Sequence, residues 1–221
     1  MITNAKQHKD SLSEAGLEML NLCKTQLEKT IEALLNHDSD LAEEVIYTEN
    51  RVNALDLKIE RDCERFLALY NPVAVDLRFI MAIRKINIDL ERIADHAYGI
   101  SKYITDVDKK IPVALFKSLD FEKMHTTVFK MLDDIINAYD DKDVKLARKV
   151  FKKDRVLDKI NTNSFTIIET EIKKNNAIIN EALILFSVIK KLERVGDLLK
   201  NIAEEIIFYM EAEVLKHQRK K

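Results

Sequence analysis

Tryptophan is absent from the 221 residues, and only 3 glycines, 2 prolines and 2 cysteines occur. So few breakers exclude a turn-rich β architecture and leave room for long helices. Cys23 and Cys63 lack metal-ligand spacing and suggest no disulfide framework; both read as small buried residues on helices. No sign of charge dominates. The 36 basic and 38 acidic residues leave a formal net charge of −2, which provides no basic footprint for nucleic acid. Long hydrophobic runs are missing too. Ala182–Phe186, as long as any, falls far short of the roughly 20 residues that span a bilayer. Met1–Asp10 is polar, with no apolar signal core. The chain is therefore expected to be cytoplasmic and to meet a membrane only through partners. There is no Gly-rich phosphate loop, no nucleophile elbow and no Cys–His pairing that can be placed.

What is present is charge interleaved with apolar residues at helical spacing. Phe79, Ile83, Ile86, Leu90, Ile93, Ala97, Ile100 and Ile104 advance by threes and fours, as do Leu185, Val188, Leu192, Val195, Leu199, Ile202, Ile206 and Tyr209. Each row predicts a long helix burying one stripe. The Ser11–Glu14 capping-box pattern predicts that the first helix opens there and runs to about Leu35. Asp38 or Ser39 is the expected cap of the second, whose apolar face carries Val45, Val52, Leu55, Ile59, Cys63 and Phe66. Asn71-Pro72 ends it, because proline disfavours the helical conformation in the residue before it. The third helix is expected from about Val73 to Asp106. After the charged stretch Asp106–Pro112 the pattern restarts, with helices from about Ser118 to Tyr139, Val144 to Lys174, and past Asn175-Asn176 to His217. The basic residues of Lys216–Lys221 suit a helix C-terminus. The reading is all-α: two tandem three-helix bundles related by an internal repeat, over 1–108 and 113–221.

The repeat is sharpest where charge is least comfortable. Leu90-Glu91-Arg92-Ile93-Ala94-Asp95 returns as Leu192-Glu193-Arg194-Val195-Gly196-Asp197. Each copy puts two carboxylates four residues apart on one helix face, turned away from the apolar stripe. Such a pair repels by roughly 0.2–0.5 kcal/mol in an isolated helix. A bound cation turns that repulsion into attraction. The preceding helices align as well. Val45–Ile59 lies on Val150–Ser164 without gaps, matching Glu49 to Asp154 and Asn53 to Asp158. If each preceding helix packs beside its motif helix, Glu49 and Asn53 meet Glu91 and Asp95, and Asp154 and Asp158 meet Glu193 and Asp197. All-oxygen sets suit hard cations and iron rather than a structural zinc. Arg92 and Arg194 are expected to pair with acidic neighbours along their helices. Glu122-x-x-His125 has no second copy on another helix, so a di-iron site built on it is not expected.

The duplicated Glu-Arg-x-x-Asp frame resembles the PhoU family of phosphate-signalling regulators. So do Pro72–Ile80 leading into the first motif, and Asn201–Tyr209 after the second. The resemblance implies two tandem three-helix bundles and no enzymatic activity. It implies metal ions held on the surface by Glu91, Asp95, Glu193 and Asp197, supported by Glu49, Asp154 and Asp158; iron, zinc, magnesium and manganese all occur in the family. It also implies partners: the ATPase subunit of a phosphate ABC transporter, a sensor histidine kinase, and a second copy in a homodimer. The implied role is to repress the phosphate-starvation response when phosphate is plentiful. Two positions depart from the family pattern. Ala94 stands where Gly is usual, as at Gly196, and Asn53 leaves the first acidic group one charge short of the second. The second group is thus expected to be the stronger metal site. The other readings of the residues are a carboxylate-bridged metal enzyme within a helical bundle, a regulator of a sodium-coupled phosphate carrier, and a plain helical scaffold.

Overall fold

The apolar rows of the sequence are the rows that the fold buries. The computed structural model describes residues 2–107 and 109–215. Among them every regular element is helical: α1 (Ile2–Asn36), α2 (Ser39–Tyr70), α3 (Ala74–Thr105), α4 (Val113–Ser118), α5 (Phe121–Asp140), α6 (Val144–Lys174) and α7 (Ile179–Glu211), with a 3-10 turn at Asn176–Ile178. α1–α3 and α5–α7 form two tandem three-helix bundles. No described helix is long and apolar enough to cross a membrane. Every stripe residue of α3 from Phe79 to Ile104 is buried, as is the α2 face from Val45 to Phe66. The α7 stripe is buried from Leu185 to Ile206, and half-buried Tyr209 packs its ring against Phe79 at 5.3 Å.

The helix ends follow from capping chemistry. Asp38 caps α2 by accepting the Leu41 backbone N–H at 2.9 Å. Asp143 caps α6 by accepting the N–H groups of Lys145 and Leu146 at 2.8 and 3.4 Å. Asn71 closes α2 at a φ of 43°, a left-handed conformation that asparagine tolerates better than most residues.

Three boundaries differ from expectation. α1 opens at Ile2, and the Ser11–Glu14 pattern is overrun. Tertiary contacts hold the extra turns: Lys9 Nζ lies 2.6 Å from Asp76, and His8 Nδ1 lies 2.9 Å from the Tyr70 hydroxyl. The expected Ser118–Tyr139 helix opens three residues later, as α5, and a separate short helix, α4, precedes it. Asp120, at a φ of 50°, breaks the chain between α4 and α5, and Phe116 folds back on Phe121 at a ring distance of 5.0 Å. α7 stops at Glu211, where Ala212 turns left-handed and donates its N–H to Phe208 O at 2.9 Å. His217 and the basic stretch Lys216–Lys221 lie outside the described residues.

The bundles also pack on each other, α3 against α7 and α1 against α5. α3 and α7 run antiparallel, since Phe79 near the start of α3 meets Tyr209 near the end of α7. Lys85 ties the same two helices to Glu205, at 3.1 and 3.2 Å from its carboxylate oxygens. Each central helix buries more than its predicted stripe, partly against the other bundle and partly, as at Gly196, against the preceding helix of its own bundle. Ile80, Ala82 and Ala94 on α3 are buried, and so are Ile189, Gly196 and Ala203 on α7. One apolar core runs through both repeats.

Candidate metal centres

Each acidic group is built where a motif helix lies against the helix before it. In the first repeat the α2–α3 register is set by Asn87, whose side-chain N–H group donates to Asp56 at 2.6 Å and to the Asp56 carbonyl at 3.2 Å. Antiparallel helices registered there bring Glu49, two turns back along α2, opposite Ala94, two turns on along α3. In the second repeat a Cβ added to Gly196 would stand 2.4 Å from Leu157 Cδ1 and 3.5 Å from Asp154 Oδ1. α6 therefore lies close against α7 there, with Asp154 facing the motif backbone.

The acids are not equally exposed. Glu49 follows Val45 by four residues and precedes Val52 by three, so it sits within the buried row of α2. It is half-buried, and its Oε2 is buried without a hydrogen-bond partner. Asp154 holds the same place between Val150 and Leu157 and is only 5% exposed. Its Oδ1 is likewise unpartnered. Glu91, Glu193 and Asp197 are half-buried, while Asp95, Asp158 and Asn53 are exposed.

The electrostatics show which acids share a site. Burial, then the negative charges of Asp95 and Glu91, push the Glu49 carboxyl up to about 7. Burial, Asp95 and Asp56 raise Glu91, partly offset by Arg92. Burial raises Glu193 too, followed by Asp197 and Asp158, with a hydrogen bond from Asn161 working the other way. Burial also raises Asp154 against the opposing pull of Lys200. The first group is thus Glu49, Asp56, Glu91 and Asp95, and the second is Asp154, Asp158, Glu193 and Asp197. Among the described residues no three His, Cys, Asp or Glu side chains are already gathered tightly enough to hold an ion. The donor sets nonetheless suit one: they are oxygen only, and each contains a buried carboxylate oxygen with nothing bound to it.

Two participants escaped the sequence reading. Asp56 restores to the first group the charge that Asn53 lacks; its signal is its place seven residues after Glu49, two turns along the same face. Lys200 enters the second group, with Nζ 2.7 Å from Asp154 Oδ2 and 2.6 Å from Asp197 Oδ1. Arg92 acts on its neighbour Glu91 through charge, holding that carboxyl's rise in check. Both Arg92 and Arg194 also bear on His96, which burial and then Lys191, Arg194 and Arg92 depress to about 4. His125 lies between the rings of Phe121 and Phe129, at 5.4 and 5.8 Å, away from both acidic groups.

Comparison with known proteins places this arrangement. The family model "PhoU domain" matches twice, at residues 17–104 and 121–206. The chain is 34% identical over 209 residues to a protein of Aquifex aeolicus named phosphate-specific transport system accessory protein PhoU homolog, covering 95% of this chain and 94% of that one. The Escherichia coli accessory protein PhoU is 29% identical, covering 94% of this chain and 86% of that one. Among solved structures, PhoU from Pseudomonas aeruginosa superposes with a TM-score of 0.88 at 27% identity, covering 94% of this chain and 99% of that one. The regulatory protein PhoU of the Streptococcus pneumoniae phosphate transport system gives 0.83 at 25% identity, covering 96% and 99%. Two matched repeats, near-complete coverage and a shared six-helix framework lead to one assignment: the chain belongs to the PhoU family.

Proposed function

We propose that this protein is a metal-binding regulator of phosphate uptake and phosphate-starvation signalling. It acts in the cytoplasm by contact with the ATPase subunit of a phosphate ABC transporter and with a sensor histidine kinase, and it assembles as a homodimer. The family assignment carries the phosphate-transport part of this reading, because the relatives are named as accessory proteins of that system. The partnerless buried oxygens of Glu49 and Asp154 support the metal part. Glu49, Glu91 and Asp95 would hold an ion on the first face, and Asp154, Asp158, Glu193 and Asp197 on the second. A hard cation supplies positive charge that carboxylates crowded by burial and by one another otherwise lack. The chain's own part is to keep those carboxylates together. Asn87 does so in the first repeat, and the close α6–α7 approach at Gly196 does so in the second. The carboxylate-bridged enzyme reading needs ligands converging inside a bundle, whereas Asp95 and Asp158 are exposed.

The test is capture of the transporter's ATPase subunit on the immobilised full chain, before and after chelation. The expected result is retention that falls when metal is stripped and returns when it is restored. No retention in either state would refute the transporter role, and retention indifferent to chelator would separate that role from metal. Capture of a sodium-coupled phosphate carrier instead would favour that sibling function.

A further inference from the structure

We propose that Lys200 is a tethered cation that fills the second acidic group, so that the two repeats differ and the first is the one left to a free ion. The inference rests on the metal-binding reading above and reverses the ranking that the charge count at Asn53 suggested. Lys200 Nζ bridges α6 and α7, reaching Asp154 Oδ2 at 2.7 Å and Asp197 Oδ1 at 2.6 Å. These are the same helices and carboxylates that a metal would join. Asp154 is the most buried acid of either group, and a buried carboxylate is retained only with a positive partner. Burial works against the Lys200 ammonium, but its hydrogen bonds to Asp154 and Asp197 outweigh that and hold its pKa above the usual range.

Among the described residues the first repeat has no such device. Laying Leu192 on Leu90 puts Tyr98 where Lys200 stands, and a phenol offers no positive charge. Asp56 has meanwhile brought the first group level in carboxylates. Equal acids with one internal ammonium on one side only leave the first group the more negative. Each group keeps one unpartnered buried oxygen, Glu49 Oε2 and Asp154 Oδ1, so the difference between the groups is the ammonium itself. A tethered cation also competes at high effective concentration, so an ion entering the second group must first displace it.

The test uses Mn²⁺ as the probe on the full chain, stripped of metal. Binding is followed by titration calorimetry in the wild type and in two variants, Glu91→Gln/Asp95→Asn and Glu193→Gln/Asp197→Asn, which remove the motif acids of one group each. The first variant should bind Mn²⁺ roughly tenfold or more weakly than the wild type, and the second should bind within about twofold of it. Lys200→Met should add a second binding event by admitting Mn²⁺ to the second group, and Lys200→Arg should add none. Equal weakening in the two double variants, or weakening in the second alone, would overturn the proposal. So would a folded Lys200→Met protein that binds Mn²⁺ only as the wild type does. The double variants decide even if Lys200→Met does not fold. Absence of Mn²⁺ binding in every protein would remove the metal reading itself, a result distinct from equal weakening.

Discussion

Leu90→Ala is expected to destabilise the protein by about 2–5 kcal/mol, the usual cost of emptying a buried leucine site. Leu90 is 0% exposed, and it belongs to the stripe that α3 turns into the shared core. Its carbonyl also accepts the Cys23 thiol at 3.3 Å, a contact between α1 and α3 that leaves little freedom for the site to collapse. Leu192, 1% exposed at the same place in the second repeat, should respond alike. Tyr47, 80% exposed, is the control, and its Ala variant should stay within about 0.5 kcal/mol of the parent. Denaturant midpoints measured at constant slope provide the comparison. A loss at Leu90 no larger than at Tyr47 would mean that α3 does not carry the core.

Glu49→Gln should stabilise the metal-free protein above neutral pH and lose that advantage in acid. The Glu49 carboxyl is raised from 4.5 to about 7 on folding, by burial and then by Asp95 and Glu91. The folded chain therefore holds this proton where the unfolded chain has released it, so stability falls as pH rises between those values. Below 4.5 the group contributes no difference, and above 7 its whole penalty is present. Because Glu49 is only half-buried, solvent screening cuts the shift to an effect of about 1–2 kcal/mol. Glu91, Asp154 and Glu193 are raised in the same direction and steepen the same loss. Chelated wild type should thus melt at a higher temperature near pH 5.5 than near pH 8, and Glu49→Gln should narrow that gap. An unchanged gap would mean that Glu49 is not the strained acid.

Much of this architecture can be read from residue order, because periodicity reports a helix's buried face directly. The rows Phe79–Ile104 and Leu185–Ile206 are buried throughout, and Asp38 and Asp143 cap where local chemistry says they should. What escapes is what depends on a partner distant in the chain. Nothing near Ser11 reveals that Lys9 will find Asp76, so the capping pattern there looks like a start. Ala82 lies off the predicted stripe of α3 and is buried where α7 is laid on it, beside Ile206 and Tyr209. At the acidic groups, the motif residues Glu91, Asp95, Glu193 and Asp197 stand out because they repeat. Asp56 and Lys200 do not, because each lies where the repeats diverge, at Asn161 and Tyr98. The better local signal was an acid inside an apolar row, which marks Glu49 and Asp154 as the carboxylates whose burial needs explaining.

The most direct measurement is the thermal unfolding of metal-stripped protein at pH 8, with and without added Mn²⁺, in the wild type and in Glu91→Gln/Asp95→Asn. Mn²⁺ at about a hundred times its dissociation constant should stabilise the wild type by about 2.7 kcal/mol, reversibly on chelation, and should leave the variant where it was. A wild-type melting temperature that ignores the metal, or one that shifts equally in the variant, would contradict the account.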